Sequence, residues 1–130
     1  MTKQSMIKLI TNREKELEEK VDAILGTKGL NELVTDIHKL VAVRELIEIL
    51  EIEHRDSPLS KDKMESRFLQ FRLEKRKNAK RAAEMYGYSS DFYIMYKTEY
   101  YELLNIFFKI LENLKGDHHE KRSDSAPFRT

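Results

Sequence analysis

The chain has 130 residues, the length of one domain, with 40% hydrophobic and 36% charged residues. A net charge of +1 gives no global attraction to nucleic acid or anionic membrane, and the absence of cysteine excludes disulfides, thiolate zinc sites and a cysteine nucleophile. No apolar run reaches the roughly 18–20 residues that span a bilayer and the N-terminus lacks a signal-peptide pattern, so a cytoplasmic protein without membrane contact is expected.

The first predicted helix, Ser5–Leu25, carries Met6, Ile10, Leu17, Val21 and Ile24 on one face. Arg13 interrupts that stripe. Gly26-Thr27-Lys28-Gly29 then reads as a turn, with Gly26 suited to the position after a helix C-terminus. The same G-x-x-G spacing occurs in the phosphate-clamping loop of KH domains, but that fold needs a sheet and no strand-like stretch flanks it here.

The second predicted helix, Leu30–His54, has Leu30, Leu33, Val34, Ile37, Leu40 and Val41 on one face. Further along, Leu46, Ile47, Ile49, Leu50 and Ile52 crowd together, which predicts burial on two sides. Glu51 and His54 form a single Glu-x-x-His step. Di-iron bundles need two such steps and two further glutamates, so no metal or other cofactor is expected.

Ser57-Pro58-Leu59-Ser60 marks a boundary, because proline disfavours helix at the residue before it. Ser57 or Ser60 can cap the third helix, Lys61–Tyr86. That helix opens with Met64, Phe68, Leu69, Phe71 and Leu73. It then turns basic, with Arg72, Lys75, Arg76, Lys77, Lys80 and Arg81 beside a narrow face of Ala79, Ala82 and Ala83. Gly87 is the expected C-terminal cap, and Ser89 or Ser90 the cap of the fourth helix. Tyr88 is placed to staple onto Phe92 or Tyr93.

The fourth predicted helix, Ser90–Lys115, organises the rest. Tyr93, Tyr96, Tyr100, Leu103, Phe107, Ile110 and Leu114 recur in steps of three and four. Phe92, Met95, Leu104, Phe108 and Leu111 widen the stripe beyond a narrow seam. A helix this apolar must be covered on several sides. After Gly116 the sequence has no apolar period, which predicts a mobile tail over 116–130 behind a single domain at 1–115.

The expected fold is therefore all-α. It is an up-down bundle of about four helices, or a helical hairpin whose core is completed by dimerisation. No Ser-His-Asp, P-loop or dinucleotide fingerprint appears, and a non-enzymatic role is expected. Two functional readings follow. In the first, the chain is a protein–protein interaction or regulatory module that binds another protein or a second copy of itself. Its interface is Tyr96, Tyr100, Tyr101, Leu104, Phe108 and Leu111, because the third helix becomes polar where it should cover that flank.

In the second reading the chain is a DNA- or RNA-binding regulator. Met1–Asp56 holds nine Lys/Arg against twelve Asp/Glu, whereas Lys61–Gly87 holds nine against four. Arg72, Lys75, Arg76, Lys77, Lys80 and Arg81 would contact phosphates, with Tyr86 and Tyr88 placed to stack on bases. Residues 82–96 also resemble a helix-turn-helix pattern, with Ala83 and Gly87 at the small-residue and turn positions. The face that would read bases carries Asp91, Phe92, Ile94 and Met95, which departs from that pattern.

Overall fold

A computed structural model describes the backbone of residues 2–24 and 30–121 and the side chains of residues 2–23 and 34–112. The chain is all-helical, with α1 at Lys3–Ile24, α2 at Leu30–Ile49, α3 at Lys61–Tyr86 and α4 at Asp91–Lys121. Among the described residues there is no strand. The only strand-like pairing there is an isolated bridge between Glu53 and Asp56 in the α2–α3 connection. No described helix is long and apolar enough to cross a membrane. The Gly26–Gly29 turn lies outside the described residues.

The helices pair in antiparallel registers. Lys3 and Gln4, at the start of α1, bond to Ser57 and Asp56 just beyond α2, while Arg44 of α2 reaches Glu14 and Glu18 further along α1. Likewise Tyr86 stacks near Phe92, Lys75 meets Glu99, and Phe68 meets Phe107 edge-on. Residue numbers fall along α3 as they rise along α4, so residues 82–96 are the tip of a hairpin. They do not form the crossed pair of a DNA-reading helix-turn-helix. α4 also packs on α1 and α2, as a central helix must.

Capping chemistry sets the boundaries. The Ser60 hydroxyl accepts from the Lys63 amide at 3.2 Å and starts α3. Ser57 instead pins the connection. Its buried hydroxyl donates to the Leu50 carbonyl at 2.6 Å and accepts from the Leu59 amide at 3.1 Å. Ser90 caps α4 by accepting from Tyr93 N–H, and Tyr88 packs edge-on against Tyr93 as the staple. Gly87 closes α3 at φ 89°, its amide donating to the Ala83 carbonyl.

Two ends differ from expectation. α2 stops at Ile49, well before His54. The Ile52 amide donates to the Ile47 carbonyl and the Glu51 amide to the Glu48 carbonyl, with Glu51 at φ 52°. This is the paired hydrogen-bond signature that usually has glycine at the left-handed position. Here glutamate occupies it, so composition gave no stop signal. Glu51 and His54 consequently do not share a helical turn. At the other end α4 continues through Gly116 to Lys121. The remainder of the expected tail lies outside the described residues.

The core combines Met6, Ile7, Ile10 and Leu17 of α1 with Leu40, Val43 and Leu46 of α2. Met64, Phe68 and Phe71 of α3 and Leu103 and Ile106 of α4 complete it. The face assigned to the first half of α2 needs correction. Val34, Ile37 and Val41 are exposed, and α2 turns its Leu40–Val43–Leu46 edge inward, continued by buried Leu50 just past its end. On α4 the buried edge is Glu99, Glu102, Leu103 and Ile106. Tyr96, Tyr100, Phe107 and Ile110 flank it, half-buried.

Candidate functional site

Two features stand out from the apolar core: a layer of buried charge inside, and a basic and aromatic face outside. The inner layer starts from the register of each helix. On α3 the buried positions are Met64, Phe68, Phe71, Lys75, Ala79 and Ala82, an unbroken three–four pattern with a lysine in the middle. On α1 the same pattern runs Met6, Ile10, Arg13, Leu17. On α4 it places Glu99 and Glu102 beside Leu103 and Ile106. Lys75, Glu99 and Glu102 are thus buried, and half-buried Arg13 completes two complementary pairs.

Arg13 grips Glu102 with two hydrogen bonds, Nε to Oε2 at 2.7 Å and Nη2 to Oε1 at 2.8 Å. Glu102 is only 1% exposed, so this fork satisfies a carboxylate that water does not reach. Arg13 also contacts Glu16 on its own helix. Hydrogen bonding to Glu102 outweighs burial and raises the Arg13 pKa above its ordinary value.

Lys75 Nζ donates to Glu99 Oε1 at 2.6 Å and to Glu45 Oε1 at 3.1 Å. Burial alone would lower its pKa. The bonds and charges of Glu99 and Glu45 more than offset that, and the net shift is upward. His38 Nδ1 lies 3.4 Å from Glu99 Oε2 without a well-directed hydrogen bond. The layer therefore draws on all four helices. Its paired charges are already committed to one another, which suits a register lock better than chemistry on a substrate.

Lys75 must accordingly leave the set of candidate phosphate contacts. Only 8% exposed and held between carboxylates, it is not available to an outside anion. Arg72 is partly engaged as well, its guanidinium lying 3.8 Å from the centroid of the Phe107 ring. Arg76, Lys77, Lys80 and Arg81 remain exposed.

The outer face lies along the α3–α4 hairpin. A groove of about 230 Å³ brings Arg76 and Lys80 of α3 beside Lys97 of α4 and beside Tyr88, Tyr93, Tyr100 and Tyr101. Lys77 and Arg81 are not among its lining residues. Nearer the other end of the hairpin, Leu69, Phe68, Phe107, Ile110 and Leu111 line an apolar hollow of about 380 Å³. Along the crest of α4, Ile94 is 45%, Tyr101 50% and Phe108 49% exposed, with Leu104 and Leu111 half-buried beside them.

Of the expected interface, Tyr101 and Phe108 are thus the exposed members. Leu104 and Leu111 edge them, and Tyr96 and Tyr100 are half-buried. Leu69 and Leu73 on α3 are exposed at matching levels of the hairpin and were not expected there. Among the described residues no group of three metal-ligating side chains converges. No protein-family model matches the chain, and comparison with curated proteins and with solved structures returned no match.

Proposed function

We propose that the chain is a small non-catalytic interaction module, an up-down four-helix bundle that binds a second copy of itself through the outer face of α4. The carrying observation is the exposed crest of Ile94, Tyr101 and Phe108, at seven-residue spacing, flanked by Leu104 and Leu111. Seven-residue recurrence keeps these side chains on one line of α4, with Leu104 and Leu111 filling the gaps beyond Tyr101 and Lys97 lying between Ile94 and Tyr101. A contiguous apolar seam on a protein surface is costly to leave in water and usually marks a contact. Large aromatic side chains at its centre are the kind that dominate association energies.

Sedimentation of the full chain across a concentration series tests this reading. A monomer–dimer equilibrium is expected, and Phe108→Ala should raise its dissociation constant at least tenfold. Ile37→Asp, on the exposed stripe of α2, should leave it unchanged. A protein that stays monomeric at high concentration, or a dimer broken by Ile37→Asp and not by Phe108→Ala, overturns the reading.

A second reading has its own observation. The groove that joins Arg76, Lys80 and Lys97 to four tyrosines has the two ingredients of single-stranded nucleic-acid binding, cations along a track and aromatic faces for bases. Binding to a homopolymer single strand that falls with salt, and that Arg76→Gln with Lys80→Gln weakens for every sequence alike, would favour it.

A further inference from the structure

We infer that the two copies pair antiparallel along α4, in the one register that matches the exposed seam to itself. This rests on the self-association proposed above. The seam is Ile94, Lys97, Tyr101, Leu104, Phe108 and Leu111, spaced three, four, three, four, three. In an antiparallel pair of helices, residues whose numbers share a common sum lie level with each other. One sum pairs every member of the seam with another member. Ile94 meets the partner's Leu111, Lys97 meets the partner's Phe108, and Tyr101 meets the partner's Leu104. A two-fold axis then crosses α4 between Glu102 and Leu103, and the contact is isologous.

Lys97 decides the direction. It is the only charged member of the seam. In a parallel pair it would face its own copy, two ammonium groups within one apolar contact. In the antiparallel pair it lies over the partner's Phe108, and the partner's Glu112, one turn further on, comes within reach of its ammonium. Glu112 is exposed, and the described structure gives it no ion pair within the chain. Lys97 already sits 5.6 Å from the Tyr93 ring, so its stem runs along the helix surface with its charge toward aromatic faces. The same axis places both α3 helices on one side of the α4 pair. Exposed Leu73, level with the axis in the hairpin register, then finds an apolar neighbour across it.

Because the chain has no cysteine, introduced cysteines report the register directly. Ile94→Cys and Leu111→Cys are prepared separately in the full chain, then mixed and oxidised. The mixture should form a disulfide-linked heterodimer. Ile94→Cys alone should not cross-link, since its two copies would be about 25 Å apart along the axis at ~1.5 Å per residue. Charge reversal gives an independent reading. Lys97→Glu and Glu112→Lys should each raise the dimer dissociation constant about tenfold, and the double variant should restore it. A dimer in which Ile94→Cys links to itself and the mixture gives no heterodimer overturns the antiparallel register while leaving self-association standing. A chain that never dimerises overturns both.

Discussion

At the scale of single residues, two positions with positive φ make opposite predictions. Gly87 ends α3 at φ 89°, where a Cβ would meet no neighbouring atom within 4 Å. The cost of Gly87→Ala is therefore conformational rather than steric crowding from elsewhere, about 1–3 kcal/mol in a denaturant titration, because φ 89° with ψ 162° is open essentially to glycine alone. Glu51 ends α2 at φ 52°, a conformation in which a non-glycine residue is disfavoured. Its side chain accepts from Arg67 at 2.9 Å, but both groups are partly exposed, so that pair contributes little. Glu51→Gly should raise stability by about 0.5–1 kcal/mol. A loss on the same titration would mean that the Arg67 pair outweighs the backbone term. Gly87 was readable as a stop because glycine is the usual residue there. Glu51 was not, because nothing about a glutamate announces a left-handed turn. Hence the predicted α2 ran on to His54.

At the scale of elements, the helices and their caps were legible because they follow local rules: apolar spacing, a serine before the first turn, a glycine after the last. Which face each helix turns inward was less legible. On α2 the stripe Val34–Ile37–Val41 and the edge Leu40–Val43–Leu46 satisfy the same spacing, and only docking chooses between them. On α3 the pattern itself held the answer. Lys75 falls in register with Met64, Phe68, Phe71, Ala79 and Ala82, so its burial followed from the helical period once the residue's charge was set aside. Arg13 gave the same signal as an interruption in the α1 stripe, and the partner that explains it lies 89 residues away. The two faces of the α3–α4 hairpin can be separated by aromatic truncation. Phe68 is buried against Phe107, and Phe68→Ala should cost about 3–5 kcal/mol of unfolding free energy. Phe108→Ala removes a half-exposed ring and should cost the fold less than about 2 kcal/mol, its main effect falling on association. Equal losses of fold stability would place Phe108 in the intrachain core.

At the scale of the whole molecule, the buried charges tie the helices together and make stability depend on pH at the alkaline end. Lys75 has a raised pKa in the folded chain. A group of this kind contributes stability that is fully present below its unfolded value, 10.5, and is lost as pH rises through the higher folded value. Melting temperature should therefore decline above the ordinary lysine range, as Lys75 loses its proton and leaves Glu99 uncompensated. Lys75→Met should be less stable at neutral pH and should lack that part of the alkaline decline. Removing one partner of the other pair, with Glu102→Ala, should cost less than the ~3–5 kcal/mol of a fully buried pair, because Arg13 is only partly buried and keeps Glu16 as a second partner. The Arg13–Glu102 fork also has a consequence in time. It joins the first helix to the last, so its loop-closure entropy is among the largest in the chain, and its charges gain from pairing only after water has left the interior. Such a contact is expected to form late, after the folding barrier has been crossed. Stopped-flow traces of Glu102→Ala should show a folding limb close to that of the parent chain, with nearly all of the lost stability appearing as faster unfolding. The charged layer would then act as the latch that sets how long the folded chain persists, rather than the nucleus that sets how quickly it forms.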